Sequence, residues 1–166
     1  MQNVTVNIFP SVIEHLRTTS INQSPNETGG VLVGTRSFDR GTLEYNILGC
    51  LCVADFEEFV SIYSATPSRF TCKNKDGWAE FALKAVERFG MSYIGDWHTH
   101  PRSNMAFLSP IDMYTLKLQY ELGQFAPYPP LHLLVQWTSS QDIGVMANVL
   151  LGKLLIMVEP NVINNK

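Results

Sequence analysis

Cysteine is scarce in this sequence of 166 residues, which contains only three: Cys50, Cys52 and Cys72. A small and odd number of cysteines does not support a disulfide framework. Cys50 and Cys52 are two residues apart, so in a strand their side chains would share one face. The pair could bind a metal through thiolates, but the sequence holds no companion pair. We therefore interpret both as small buried hydrophobic residues.

The sequence also lacks an excess of basic residues. It has 12 Lys and Arg against 15 Asp and Glu, and its formal net charge is -3 at pH 7. Because contact with nucleic acid phosphates needs clustered Lys and Arg side chains, nucleic acid is excluded as the primary partner.

Long hydrophobic runs are missing as well. A membrane-spanning helix requires roughly twenty consecutive apolar residues, and the longest apolar stretch near the C-terminus, 149–158, is interrupted by Gly152 and Lys153. The first three residues carry no basic region of the kind that opens a signal peptide. We therefore expect a cytoplasmic protein that does not enter a membrane.

The sequence does contain enough apolar residues for one core, since 45% of its residues are hydrophobic and 16% are charged. Its length suits one domain, which we assign to residues 1–166. An edge strand is predicted at residues 4–9, and further strands at 31–35, 42–53, 91–100, 131–137, 143–151 and 153–158. Helices are predicted from Pro10, over 76–89 and over 109–122. Strands interleaved with three helices indicate an α/β fold.

The connections follow from the same patterns. Residues 20–26 are expected to form a polar loop, and residues 37–41 a tight turn. Residues 54–75 are either a functional loop or a strand pair with an ordinary loop. The third helix should end at Gly123. Its apolar face is expected to pack on the sheet through Ile111, Tyr114, Leu118 and Leu122.

Two histidines in the strand at 91–100 form a candidate metal site. His98 and His100 would point to the same face, because strand side chains alternate with period two. Ser109 is a candidate N-cap with Pro110 at the first helical position, so Asp112 lies in the first turn of the next helix. Two histidines and an aspartate, with one position left for water, are typical of a catalytic zinc site. The simpler interpretations are an incidental histidine pair and a capping box formed by Ser109 and Asp112, and the cap and the metal site can both be present.

Two further polar residues have two interpretations each. Glu27 opens a strand that contains three glycines, and glycine within a strand often marks close approach of a ligand or of another backbone. Glu27 is either a solvated carboxylate at a strand edge or, with the histidines, a candidate general base. His132 lies in a predicted strand, where an ordinary sheet histidine is favoured over a role behind the metal ligands or at the surface.

These segments resemble the JAMM (MPN+) metalloprotease family, and within it the prokaryotic JAB branch. The resemblance rests on Glu27-x-x-Gly30-x-Leu32-x-Gly34, then His98-x-His100-Pro101 and Ser109-x-x-Asp112. It implies a single MPN (JAB)-like domain, a mixed β-sheet flanked by about three helices in a cytidine deaminase-like arrangement. One departure is that eight residues separate His100 from Ser109, whereas the family usually has seven. Loops tolerate insertions, so we expect Asp112 still to reach the metal.

The resemblance also implies the roles of the site residues. His98, His100 and Asp112 would hold Zn²⁺, Glu27 would act as the general base, and Ser109 would donate a hydrogen bond to the developing oxyanion. The activity implied is hydrolysis of a peptide or isopeptide bond at the C-terminal tail of a ubiquitin-like protein. The segment 54–75 would help to form the groove for that tail.

The biological setting has several alternatives. Such enzymes often occur beside ubiquitin-like conjugation enzymes in bacterial antiphage defence systems, so the resemblance implies those partners and that setting. A second enzymatic interpretation is processing of the C-terminus of a sulfur-carrier protein. A different class is a catalytically silent MPN scaffold, which would have no need for both the ligands and the base.

Overall fold

A mixed sheet of eight strands forms the centre of the computed structural model, which describes residues 3–101, 107–121, 128–138 and 142–163. The strands are β1 (Asn3–Ile8), β2 (Gly29–Asp39), β3 (Thr42–Cys52), β4 (Tyr63–Thr66), β5 (Arg69–Cys72), β6 (Ser92–His100), β7 (Leu131–Trp137), β8 (Ile143–Leu151), β9 (Leu154–Val158) and β10 (Asn161–Val162). The α-helices are α1 (Pro10–Gln23), α2 (Lys75–Phe89) and α3 (Pro110–Glu121). The expected mixed α/β architecture is confirmed.

The strand order is β10-β1-β3-β2-β6-β7-β8-β9, and β4 pairs with β5 in a separate hairpin. The pairs β1–β10, β1–β3 and β6–β7 are parallel, and the remaining pairs are antiparallel. Strand β6, which carries both histidines, therefore lies inside the sheet between β2 and β7. The prediction that β1 is an edge strand is wrong, because Asn7 and Ile8 pair with β10 on its outer side.

Both faces of the sheet are covered, which explains the nearly continuous apolar runs of the central strands. Successive residues of β2 point to opposite faces: Leu32 enters the core beneath α1, whereas Val31 and Val33 enter the core beneath α2. Helix α1 contributes Leu16 to the first core, and α2 contributes Phe81 to the second. Within the described residues no helix has the length and apolar character to cross a membrane.

The glycines of β2 reflect close backbone packing. A Cβ atom built on Gly30 would lie 1.8 Å from the carbonyl oxygen of Leu51 and 2.9 Å from the indole nitrogen of Trp97. Of the two reasons for glycine in a strand, close approach of another backbone is therefore the one that applies here. The two cysteines of β3, Cys50 and Cys52, are both buried and free, as expected.

Two connections differ from their predictions. Helix α1 continues to Gln23, so most of the loop predicted at 20–26 is helical. Strand β2 continues to Asp39, which leaves a turn of two residues, Arg40 and Gly41, both with positive φ angles of 47° and 84°. Two central residues with positive φ make the type I′ hairpin turn, which is well matched to the twist of paired strands.

The segment predicted as irregular, 54–75, contains two short 3-10 helices, Val53–Asp55 and Glu57–Ile62, followed by the β4–β5 hairpin. The strand pair of the second interpretation is therefore present. The hairpin also reaches the site, because the backbone N–H of Glu27 donates to the carbonyl oxygen of Thr66 at 2.8 Å.

The predicted packing face of α3 is wrong at Ile111 and Tyr114, while Leu118 is half-buried. Ile111 and Tyr114 are 51% and 67% exposed, whereas Leu116 is buried. The inward face carries Asp112, Leu116 and Gln119, which recur at the i, i+4, i+7 spacing of one helix face. Leu122 and Gly123, the predicted end of this helix, lie outside the described residues.

Candidate metal centre

Strand β6 brings the two histidines together as the period-two argument predicts. His98 and His100 project from one face, while Thr99 between them is turned to β2, where its hydroxyl accepts from the N–H of Thr28 at 2.8 Å. The Nε2 atoms of His98 and His100 are 2.9 Å apart. Their side chains are only 7% and 13% exposed, so two nitrogen atoms converge on one small volume at the end of the strand.

Asp112 reaches the same volume from the first turn of α3. Its Oδ1 lies 3.5 Å from His98 Nε2, and its Oδ2 lies 3.4 Å from His100 Nε2. Burial acts to raise the pKa of Asp112, but the two imidazoles and the hydrogen bond with Ser109 hold it well below its usual value. The extra residue between His100 and Ser109 therefore does not keep the carboxylate away from the histidines.

Ser109 and Asp112 also form a capping box. The N–H of Ser109 donates to Asp112 Oδ2 at 2.8 Å, and the N–H of Asp112 donates to Ser109 Oγ at 3.2 Å. The two bonds satisfy backbone donors at the start of α3. The capping interpretation is thus correct, and it is compatible with a metal site, because the cap fixes the aspartate beside the histidines.

Glu27 completes the cluster from the residues just before β2. One carboxylate oxygen of Glu27 and one nitrogen each of His98 and His100 lie within 4.8 Å of one another. Glu27 is 7% exposed, so the interpretation as a solvated strand-edge carboxylate is wrong. Burial raises the pKa of Glu27, while the neighbouring charges of His98 and His100 oppose that shift.

The donor atoms fit a zinc ion. In a tetrahedral site with metal–nitrogen distances of 2.0–2.1 Å, neighbouring ligand atoms are about 3.3 Å apart. The separations between Asp112 and the two histidines are 3.5 and 3.4 Å, and the two histidine nitrogens are somewhat closer, at 2.9 Å. Two imidazoles and a carboxylate are also donors that suit zinc.

His132 on β7 lies behind His98, contrary to the preference for an ordinary sheet histidine. Its Nε2 is 2.7 Å from Nδ1 of His98. Burial, and next the charge on His98, lower the pKa of His132 to about 3. The contact depends on the parallel pairing of β6 with β7, which aligns His132 with Asp96, two residues before His98.

Asp96 is a buried polar residue near the site that the sequence motifs did not point out. It is 8% exposed and accepts three hydrogen bonds, from Trp78 Nε1 at 3.1 Å, Tyr93 Oη at 2.6 Å and Gln119 Nε2 at 2.9 Å. Burial raises the pKa of Asp96, and these three donors oppose the shift. Because Trp78 belongs to α2 and Gln119 to α3, Asp96 ties both helices to the strand that holds the histidines. Its position two residues before His98 was the available signal, since it predicts the same face.

Replacing Gln119 by methionine tests this connection. Methionine fills a similar volume but cannot donate to Asp96, so a buried carboxyl group would lose one of the three donors that the described residues supply. We expect the free energy of unfolding to fall by about 2 kcal/mol, the usual cost for a hydrogen bond to a charged group. The measurement is denaturant unfolding of the metal-free chain. Lys117→Met is the matched control, because Lys117 is exposed on the same helix, and an equal loss in both variants would contradict the connection.

Comparison with known proteins finds a matching family and a similar fold. The family model for prokaryotic homologs of the JAB domain matches residues 9–143. Among solved structures, the solution structure of protein DSY2949 from Desulfitobacterium hafniense is similar in fold, with a TM-score of 0.67 at 16% sequence identity, covering 97% of this chain and 94% of that one. No curated protein sequence matches the chain. The family match spans most of the chain, including Glu27, both β6 histidines and Asp112, and this chain is a member of the prokaryotic JAB-domain family.

Proposed function

We propose that this chain is a zinc-dependent hydrolase that cleaves a peptide or isopeptide bond after the C-terminal tail of a ubiquitin-like protein. One observation supports the proposal above all. The buried carboxylate of Glu27 lies beside His98 and His100, and Asp112 contacts both of these histidines. Three ligands and a separate base are the components that metal-assisted amide hydrolysis requires.

The roles follow from the positions of the groups. His98, His100 and Asp112 would hold the ion, which when bound makes a water more acidic and polarises the amide carbonyl. Glu27, whose carboxylate lies beside His98 and His100, would take the proton from the attacking water and pass it to the leaving amine.

Ser109 would act on the carbonyl oxygen. Its Oγ accepts the N–H of Asp112, and a hydroxyl that accepts still has its own proton to donate. That proton would form a hydrogen bond with the oxygen as negative charge develops on it, and such a bond contributes most in the transition state.

The β4–β5 hairpin has strand edges to which an extended peptide substrate could bind. In the part of the chain that the structure describes, this sheet has two strands only, so each strand has one edge that pairs with no other strand. An extended peptide can add to such an edge through backbone hydrogen bonds. Thr66 at the end of β4 accepts the N–H of Glu27, which places the hairpin beside the proposed base. A flexible C-terminal tail is a substrate of the required shape.

Removal of the metal tests the proposal. The substrate is a ubiquitin-like protein joined through its C-terminal tail by an amide bond to a reporter protein. We expect chelation to reduce cleavage by more than 100-fold, and one equivalent of Zn²⁺ per chain to restore it, because the catalytic groups depend on the ion. A fusion with a scrambled tail is the control for tail recognition, and full cleavage by the metal-free chain would contradict the proposal.

The same assay separates the alternatives. Cleavage of a sulfur-carrier fusion in preference to the ubiquitin-like fusion would favour precursor processing. Zinc binding and partner binding without cleavage of either fusion would favour a non-catalytic scaffold. Conjugation enzymes as partners and a role in antiphage defence are further parts of the proposal, and they depend on cleavage of a conjugate.

A further inference from the structure

We propose that His132 is a positioning residue for the metal centre: it accepts a hydrogen bond from Nδ1 of His98 and thereby holds that imidazole with Nε2 directed at the ion. This inference rests on the proposed zinc site, and it assigns a role to a residue outside the ligands, the base and the oxyanion donor.

Metal binding determines which ring nitrogen of His98 carries the proton. His98 Nε2 faces His100 Nε2 at 2.9 Å and Asp112 Oδ1 at 3.5 Å, so this is the nitrogen directed at the proposed ion. A nitrogen that binds a metal offers a lone pair, and in a neutral imidazole the proton is then on the other nitrogen. Nδ1 of His98 must therefore be a donor when the site is filled.

The identity of its acceptor follows from distance. His132 Nε2 lies 2.7 Å from His98 Nδ1, within hydrogen-bond range. With Nδ1 of His98 as the donor, His132 Nε2 accepts. Metal-binding histidines usually donate their second N–H to a carboxylate, a carbonyl oxygen or water, and these acceptors fix the tautomer and the ring orientation. In this chain the acceptor is the imidazole of His132.

His132 is not placed to be a fourth ligand of the same ion. The two nitrogens of an imidazole point away from each other across the ring, and His132 contacts the one that faces away from His100 and Asp112. Its support comes from the sheet: Asn148 on β8, which is fully buried, pairs with it and donates to its carbonyl oxygen at 3.4 Å. His132, the proposed acceptor, is therefore held in place by a neighbouring strand inside the sheet.

The test is zinc affinity, measured by competition with a chromophoric chelator in the absence of substrate. We expect His132→Leu to lower the affinity by about 10- to 100-fold, the range for residues that orient a ligand. His132→Gln places an amide oxygen near the original Nε2 and should stay within about threefold of the native chain. His15→Leu is the matched control, since this histidine lies on α1 and its side chain is 40% exposed.

The outcomes separate this inference from the proposed function. Native affinity in His132→Leu, or an equal loss in His132→Gln and His132→Leu, would overturn the positioning role, because packing alone would then explain the site. The melting temperature of each metal-free variant reports folding, and the glutamine variant keeps the test open if the leucine variant does not fold. If the native chain binds zinc but cleaves no fusion, the proposed function fails while the affinity comparison still stands. If it binds no zinc, both fail.

Discussion

Glu27→Gln is expected to remove nearly all cleavage while the chain still binds zinc. Glutamine has almost the same shape as glutamate but cannot take a proton from water at neutral pH. Loss of a positioned general base typically costs 10²- to 10⁴-fold in rate, and we expect kcat to fall by about that factor. The measurement is kcat for the ubiquitin-like fusion together with zinc content per chain.

The matched control is Glu80→Gln, the same change at an exposed position on α2. It should leave both cleavage and zinc content unchanged. Loss of zinc in Glu27→Gln would show that Glu27 is a ligand, as its place beside His98 and His100 would also allow. Native cleavage in this variant would place the base elsewhere.

Local geometry made part of the site predictable from the sequence. The shared face of His98 and His100 follows from the period of a strand, and the place of Asp112 follows from a serine and a proline at a helix start. Each inference needs only a few neighbouring residues. The structure has both features, because nothing in β6 or in the first turn of α3 conflicts with the local preference.

Contacts that depend on the order and register of strands were not predictable in the same way. His132 meets His98 only because β7 runs parallel to β6 in one particular register. Alternation within β7 indicates which side chains share a face, but it does not indicate which strand lies next to them. Strand β10, with two residues, is likewise too short to show a pattern, and its pairing makes the edge prediction for β1 wrong.

In α3, polar contacts rather than the apolar pattern determine which face of the helix points inward. Apolar residues such as Ile111 and Tyr114 predicted one inward face, but Asp112 and Gln119 both contact side chains of β6. Turning those two inward leaves Ile111 and Tyr114 exposed. Buried polar groups need partners, and an unsatisfied one costs more than an exposed apolar side chain.

Asp112→Asn is expected to weaken zinc binding by more than about 100-fold, beyond the range for residues that only orient a ligand. The asparagine oxygen can still accept the N–H of Ser109, so the helix cap is retained and α3 should remain in place. What is lost is the negative charge between His98 and His100. The measurement is zinc affinity by chelator competition, with the melting temperature of the metal-free variant as the check on folding.

Asp76→Asn is the matched control, because Asp76 is an exposed acid in the first turn of its helix, as the second residue of α2, where Asp112 is the third residue of α3. It should bind zinc as the native chain does. If Asp112→Asn keeps the native zinc affinity and Glu27→Gln loses zinc, then Glu27 is the metal ligand and Asp112 is not. The reverse pattern is what we expect, because Asp112 lies within 3.5 Å of both imidazole Nε2 atoms with its pKa held low, whereas burial raises the pKa of Glu27. A carboxylate that stays ionised suits a ligand, and one that gains a proton more readily suits a base.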